Sequence, residues 1–262
     1  MKSEWVMMTW RELRDRGNEN SQTVLIPVGC VEAQGPHTPL GMEFLMADAL
    51  SKAVAEKTGS IAVPAVPFGY SGDFAAVPGT IFARPETLIM LYEDIAQSVI
   101  KAGFSHLFFI AYHIPNQWIV ERVARRLRES HGIVCAWVNP GALAATYLKD
   151  VFADPARARG HGAEPGLSLM RYLVPDAVDL QGAKATPGPS AFRGWTMTGG
   201  GPAVIEGVPV GLAVNWEDLY PETGGFGDAT VATEDSGKKI FERLVADISK
   251  VVVAFQKMDT KV

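Results

Sequence analysis

The sequence predicts an α/β protein built on a mostly parallel central sheet, and three observations carry the prediction. Short β-rich apolar runs alternate with segments of helical period through the first half, which is how successive βαβ units read. The apolar runs show no polar alternation, as strands covered by helices on both faces require. A chain of 262 residues, 47% hydrophobic and 20% charged, is long enough for one large core.

Taken in order, residues 23–28 predict the first strand, residues 45–57 a helix and residues 61–66 the second strand. A helix follows at about 85–102, then a strand at 106–111, a helix at 117–130 and a strand at 133–138. Residues 181–227 change character: they are rich in glycine and proline and read as irregular structure with a short hairpin near 204–213, covering a site. A long helix at about 229–256 carries a stripe of Val231, Ile240, Leu244, Ile248 and Val251, expected to pack on the sheet. No internal repeat or low-complexity linker interrupts the chain, so residues 1–262 are read as a single domain.

Composition narrows the function. The 24 basic and 29 acidic side chains give a net charge of −5 and are interspersed, which argues against a nucleic-acid partner. Cys30 and Cys135 are too few for a disulfide framework or a thiolate zinc cluster and read as buried thiols. The first twenty residues lack the apolar stretch of a signal peptide, and no later stretch reaches ~18 apolar residues without a charge or a proline. A cytoplasmic protein outside the membrane is therefore expected.

Ligands of open parallel sheets bind beyond the carboxyl ends of the strands, so polar residues there come first. The first strand runs into a turn-rich loop holding Glu32, Gln34 and His37, and Glu43 opens the next helix. The strand at 106–111 ends in Tyr112-His113-Ile114-Pro115-Asn116. Glu32, Glu43 and His113 form an oxygen, oxygen, nitrogen set suited to Zn²⁺ or Mn²⁺ with positions left for water. Spacing alone leaves the plain readings open: a loop carboxylate, an acid favoured by a helix dipole and a satisfied histidine. The loop Arg159-Gly-His-Gly-Ala-Glu-Pro165 presents His161 as an acid–base group, with Glu164 beside it, or else as a helix cap. His106 and His131 are assigned to structure or solvent. Trp195, Trp216 and Phe226 can close over a ligand or belong to core or subunit contacts.

The segment Pro27-Val-Gly-Cys-Val-Glu-Ala-Gln-Gly-Pro-His-Thr-Pro-Leu-Gly-Met-Glu43 resembles the creatininase signature PVGSxEQHGPHLPLGTD. In the same order, Ser71 with Val77-Pro-Gly-Thr-Ile81 is similar to that family's serine and FPGTI, and Ala102-Gly-Phe104 to its GF. His113 with Asn116 resembles its NGHGGN turn, His161-Gly-Ala-Glu-Pro-Gly-Leu-Ser168 its HAGExETS, and residues 224–232 its GVxGDPxxA. The resemblance implies a three-layer α/β/α fold, a homo-oligomer such as a hexamer, and two divalent metals at the sheet edge. One metal carries over to Glu32, Glu43 and His113. The second falls on Gln34, Glu43 and Pro115, and proline has no donor atom while an amide oxygen is a weak partner for zinc. One divalent metal per chain, zinc or manganese, is therefore expected. Gly166 replaces a family glutamate and is expected to leave room for a different substrate.

Family activities imply a metal-dependent hydrolase acting through a metal-bound hydroxide on a small cyclic carbonyl compound: a cyclic amide, a lactone or an inositol-derived diketone, as in a 3-dehydro-scyllo-inosose hydrolase. His161 shuttles the proton and Glu164 orients it or the substrate. Gln34, His37, Ser71, Tyr112, Asn116 and Trp195 are expected to bind substrate. Two other readings compete: a degenerate binding or scaffold subunit, and a metal-free isomerase or lyase using Glu32 and His161.

Overall fold

The computed structural model describes residues 1–17, 22–188, 190–197, 203–220 and 224–261. Strands β1 (Thr23–Val28), β2 (Ile61–Ala62), β3 (His106–Ala111) and β4 (Ala136–Val138) form a parallel sheet in the order β2-β1-β3-β4. Helices α1 (Trp10–Gly17), α2 (Met42–Thr58), α3 (Pro85–Lys101) and α4 (Asn116–His131) precede and link these strands. Short helices α5 (Pro140–Ala145), α6 (Leu148–Val151) and α7 (Pro155–Ala158) lead to α8 (Gly166–Leu173).

Strand alternation divides the core into two layers. Val24, Ile26, Val28, Leu107 and Phe109 face α3 and α4 through Leu88, Tyr92, Val120 and Val123. Leu25, Phe108 and Ile110 face the other way, onto α2 and the C-terminal α10 (Glu234–Phe255), among Met46, Leu50, Leu244 and Ile248. β1 and β3 are buried at every position, which is why their runs are apolar throughout. The fold is the expected three-layer α/β/α arrangement.

Several boundaries differ from the sequence reading. The strand expected at 61–66 keeps its ladder only at Ile61–Ala62; Val63 and Val66 still donate to Leu25 and Pro27, but Pro64 and Pro67 have no N–H to continue it. The strand expected at 133–138 starts at Ala136, because Ile133 and Val134 pair instead with Lys261 and Thr260. The helix expected from 229 begins at Glu234, where Thr233 Oγ1 accepts from the Ser236 N–H. Val231 lies before it in a 3-10 turn and Val251 is exposed; the buried stripe is Ile240, Leu244, Ile248, Val252 and Phe255.

Much of residues 181–227 is more regular than expected. β6 (Ala191–Phe192), β7 (Trp195–Met197), β8 (Ala203–Ile205) and β9 (Val208–Val210) form an antiparallel sheet, and β5 (Ala185–Thr186) pairs with β10 (Gly227–Asp228). The expected hairpin is β8–β9, turning at Glu206 and Gly207, both at positive φ. One turn of helix, α9 (Trp216–Leu219), follows. No helix among the described residues is long and apolar enough to cross a membrane.

Candidate metal centre

Register places the site. Val28 pairs with Ala111, so the loops after β1 and β3 leave the sheet side by side at its carboxyl edge. Gly29 lets the start of α2 come close: a Cβ there would stand 2.5 Å from Phe44 Cα, which only glycine accommodates. That approach brings Glu43, in the first turn of α2, against the residues following β1.

Cys30, Glu32, Glu43 and His113 meet there, each buried, with one ligand atom apiece all within 4.8 Å of one another. His113 Nδ1 lies 2.5 Å from Glu43 Oε2, and its Nε2 lies 2.7 Å from the Tyr70 carbonyl and 3.5 Å from Glu32 Oε2. The Cys30 thiol donates to Glu43 Oε2 at 2.7 Å. Glu32 Oε1 is 3.0 Å from His161 Nε2, whereas Glu32 Oε2 has no hydrogen-bond partner although the residue is 1% exposed.

Burial and charge pull these groups in opposite directions. Burial pulls His113 down, but the Glu43 and Glu32 carboxylates outweigh it and raise the imidazole to about 10. Burial likewise pushes Glu43 up, and the His113 charge and hydrogen bond bring it below the ordinary carboxylate value. The Cys30 thiol is held well above its usual value by burial and by the neighbouring Glu43 and Glu32 charges. These residues fit a divalent ion. A buried carboxylate oxygen lacks a hydrogen bond, and His113 has one ring nitrogen on a backbone carbonyl with the other turned into Glu43, as metal-binding imidazoles are held.

A cavity of about 610 Å³ opens over the cluster, lined by Glu43, Tyr112, His161, Glu164, Trp216 and Phe226 among others. His161 stacks on Phe74, with centroids 4.5 Å apart, and contacts Trp216 at 4.8 Å; its Nδ1 lies 3.2 Å from the Gly224 carbonyl. Glu164 is fully buried: Oε1 accepts from Ser168 Oγ at 2.7 Å, Oε2 has no partner, and burial raises its carboxyl to about 7. His161 is thus oriented by Glu32 and the Gly224 carbonyl rather than by Glu164, which is bonded to Ser168 and lines the cavity, where the substrate-orienting half of its expected part stays open.

The expected substrate residues separate. Gln34 and Tyr112 line the cavity, the tyrosine with its buried hydroxyl unpartnered. His37 faces a smaller cavity of about 270 Å³, and its Nε2 lies 2.5 Å from the Gly162 carbonyl. Ser71 is buried beside the Cys30 sulfur. Asn116 has no amide group to spare: Nδ2 donates to the Gly29 carbonyl and Oδ1 accepts from the Tyr70 N–H, so it ties the two site loops together rather than reaching a ligand. Trp195 lies exposed on β7 and does not line the cavity; Trp216 and Phe226 do. Gly166 lines the cavity, as expected of a position that leaves room, with Met42 Sδ 2.7 Å from where a Cβ would stand. His106, bonded to the Met258 carbonyl, is structural as expected.

Sequence reasoning missed two groups. Cys30 reads as a small buried hydrophobe because its partners come from other elements. Asp73, exposed in the turn Gly72–Phe74, is near enough for burial and the Glu32 charge to raise its carboxyl.

Comparison with known proteins agrees with this geometry. The family model described as creatininase, creatinine amidohydrolase, matches residues 6–252. The chain is 27% identical over 263 residues to a creatinine amidohydrolase of Pseudomonas putida, covering 94% of each chain. It is 33% identical over 270 residues to a 3-dehydro-scyllo-inosose hydrolase of Thermotoga maritima, covering 94% of this chain and 81% of that one. A solved manganese form of creatininase superposes with a TM-score of 0.78 at 23% identity, covering 98% of this chain and 100% of the other. With the signature carboxylates and histidine gathered at the carboxyl edge of the same three-layer fold, the chain belongs to the creatininase family.

Proposed function

We propose that the protein is a metal-dependent hydrolase that opens a small cyclic carbonyl compound, holding one divalent ion through Glu32, Glu43 and His113. The observation that carries this reading is the buried cluster with its unpartnered Glu32 oxygen beneath a cavity reached by His161 and Glu164. A cavity of about 610 Å³ lies in the range of small-molecule sites. When bound, the ion polarises a carbonyl and makes water a nucleophile near neutral pH.

The chain's own residues do the rest. His161 Nε2, held against Glu32, takes the proton released by the attacking water and passes it toward the leaving atom. Glu164, neutral up to pH about 7, presents a carboxylic acid to the substrate oxygen. Trp216 and Phe226 cover the reacting centre and keep bulk water out. Gln34 and Pro115, standing where the family pattern has a histidine and an acid, support one ion rather than two. Among relatives, the named activity of the inosose hydrolase favours a polyol-derived ring over creatinine.

The test is a panel of cyclic amides, lactones and inositol-derived diketones given to metal-reconstituted protein, with His161→Ala in parallel. Turnover of one class, lost on chelation and in the variant, supports the reading. Turnover untouched by His161→Ala removes the proton-transfer role. Solvent deuterium entering recovered ketone without ring opening replaces the hydrolase by the isomerase or lyase.

A further inference from the structure

We infer that Cys30 is a fourth protein ligand to the ion, and that its sulfur biases the centre toward thiophilic metals such as zinc and cobalt over manganese and magnesium. The inference deepens the proposed function and rests on it. Three observations carry it.

First, Cys30 is not merely near the site. Its Sγ lies 2.7 Å from Glu43 Oε2, the oxygen that also faces His113 Nδ1, so sulfur and imidazole converge on one carboxylate atom. Second, the four ligand atoms lie within 4.8 Å of one another. In a five-coordinate centre that keeps one position for water, bonds of ~2.0 Å to nitrogen or oxygen and ~2.3 Å to sulfur put adjacent ligand atoms roughly 2.8–3.7 Å apart. The cluster brackets that spacing, with the Glu43 contacts tighter and others wider. Third, Glu32 is 1% exposed and aims an unpartnered oxygen, Oε2, into the group. That atom is an independent sign that the four residues together serve a cation.

The alternative is a thiol that only packs. A packing cysteine is placed by apolar neighbours, whereas this one points at two carboxylates and has the Ser71 hydroxyl beside it, a group able to hold a coordinated sulfur in place. Cys30 does not line the cavity while Glu43 does, so the sulfur approaches from the buried side and leaves the open side to substrate. Coordination is a simple exchange. The S–H and Nδ1–H bonds break, both protons leave to solvent, and the electron pairs left on sulfur and nitrogen form the two metal bonds. Soft sulfur then sets selectivity, because thiolate favours zinc and cobalt whereas manganese and magnesium prefer oxygen.

The experiment strips the full-length protein of metal and reloads it with Co²⁺, reading the near-ultraviolet absorbance for a sulfur-to-cobalt charge-transfer band. Cys30→Ser and Cys135→Ser are compared, the second removing a buried thiol far along the chain in sequence. Zinc and manganese binding are measured by competition on the same samples. The expected result is a charge-transfer band in the wild type and in Cys135→Ser, lost in Cys30→Ser. Loss of an outer-sphere partner costs ~10–100-fold in metal affinity, so loss of the sulfur should cut zinc affinity by at least that factor while manganese affinity changes far less. The wild-type spectrum decides the matter even if Cys30→Ser fails to fold. Cobalt bound without the band, or a band that survives Cys30→Ser, overturns the sulfur ligand and leaves the metal hydrolase standing. Failure of the wild type to take up cobalt, zinc or manganese overturns both.

Discussion

Replacing Glu164 by glutamine should make the protein more stable at neutral pH than the native chain, by an amount that depends on pH in a defined way. Glu164 is fully buried and hydrogen-bonded through one oxygen, and its carboxyl is raised from 4.5 to about 7, chiefly by burial and against the opposing hydrogen bond of Ser168. Between those values the folded protein binds more protons than the unfolded chain, so stability falls as pH rises from 4.5 to about 7. Each pKa unit is worth ~1.36 kcal/mol, which makes the loss about 3 kcal/mol at and above pH 7. Glutamine carries no proton to lose and keeps an oxygen for Ser168, so Glu164→Gln should match the native protein near pH 4.5. It should gain on it steadily and lead by about 3 kcal/mol at pH 8. At ~2–4 °C per kcal/mol for a chain of this size, the gap in Tm is roughly 6 °C or more. Urea unfolding of both proteins across this range, at equal protomer concentration, measures it. A stability difference flat in pH would refute the buried-acid argument, as would a native protein that gains on the variant with rising pH. On the proposed reading the same variant should also lose turnover at every pH, because it no longer presents a carboxylic acid to the substrate.

Other perturbations separate the site from its supports. Asn116→Ala removes both bonds that join the Gly29 and Tyr70 loops and leaves buried backbone groups unpaired, a loss of roughly 2–4 kcal/mol in urea unfolding together with weakened metal retention. Gly160→Ala puts a Cβ 1.8 Å from the Phe226 carbonyl oxygen, so the loop that carries His161 must shift; activity should collapse more than stability, seen by comparing kcat with Tm. Trp216→Ala should raise KM and lower kcat because the ring covers His161, whereas Trp195→Ala on the exposed β7 should change either by less than about twofold. Chelation should lower stability by about 3 kcal/mol relative to protein kept at a free-ion concentration ~100 times Kd, and re-addition should restore it.

The central fold was legible because its signals are local. β1 and β3 are buried on both faces and therefore apolar throughout, and α2, α3 and α4 lie within a few residues of where period and flanking residues put them. The edges were less so: whether Ile61 onward extends a strand depends on which N–H groups the two prolines remove, and Ile133 is claimed by a C-terminal segment more than a hundred residues away. The β6–β9 sheet has strands of two or three residues, too short for any alternation to register. At the site, glutamates and a histidine stand out by chemistry wherever they are placed. The part played by Cys30 depends on how closely α2 approaches Gly29, and that of Asn116 on two backbone groups from separate loops. Neither is written in local spacing.

On the proposed reading, charge favours one ion. Two dications ~4 Å apart repel by roughly 17 kcal/mol at an effective dielectric near 20, so a two-ion site must surround them with anions. The grouped ligands here offer at most three negative charges, from Glu32, Glu43 and the Cys30 thiolate, and two ions would leave a buried positive excess. One ion leaves a single negative charge and no ion–ion repulsion to overcome. Elemental analysis of protein purified without chelator should therefore give about one ion per chain, lost in Glu32→Gln and in His113→Ala. Two ions per chain would break the argument and point to Asp73, the exposed acid whose carboxyl already feels the Glu32 charge, as the missing anion. Asp73→Asn would then remove one ion of the two, whereas on a one-ion centre it leaves metal content unchanged.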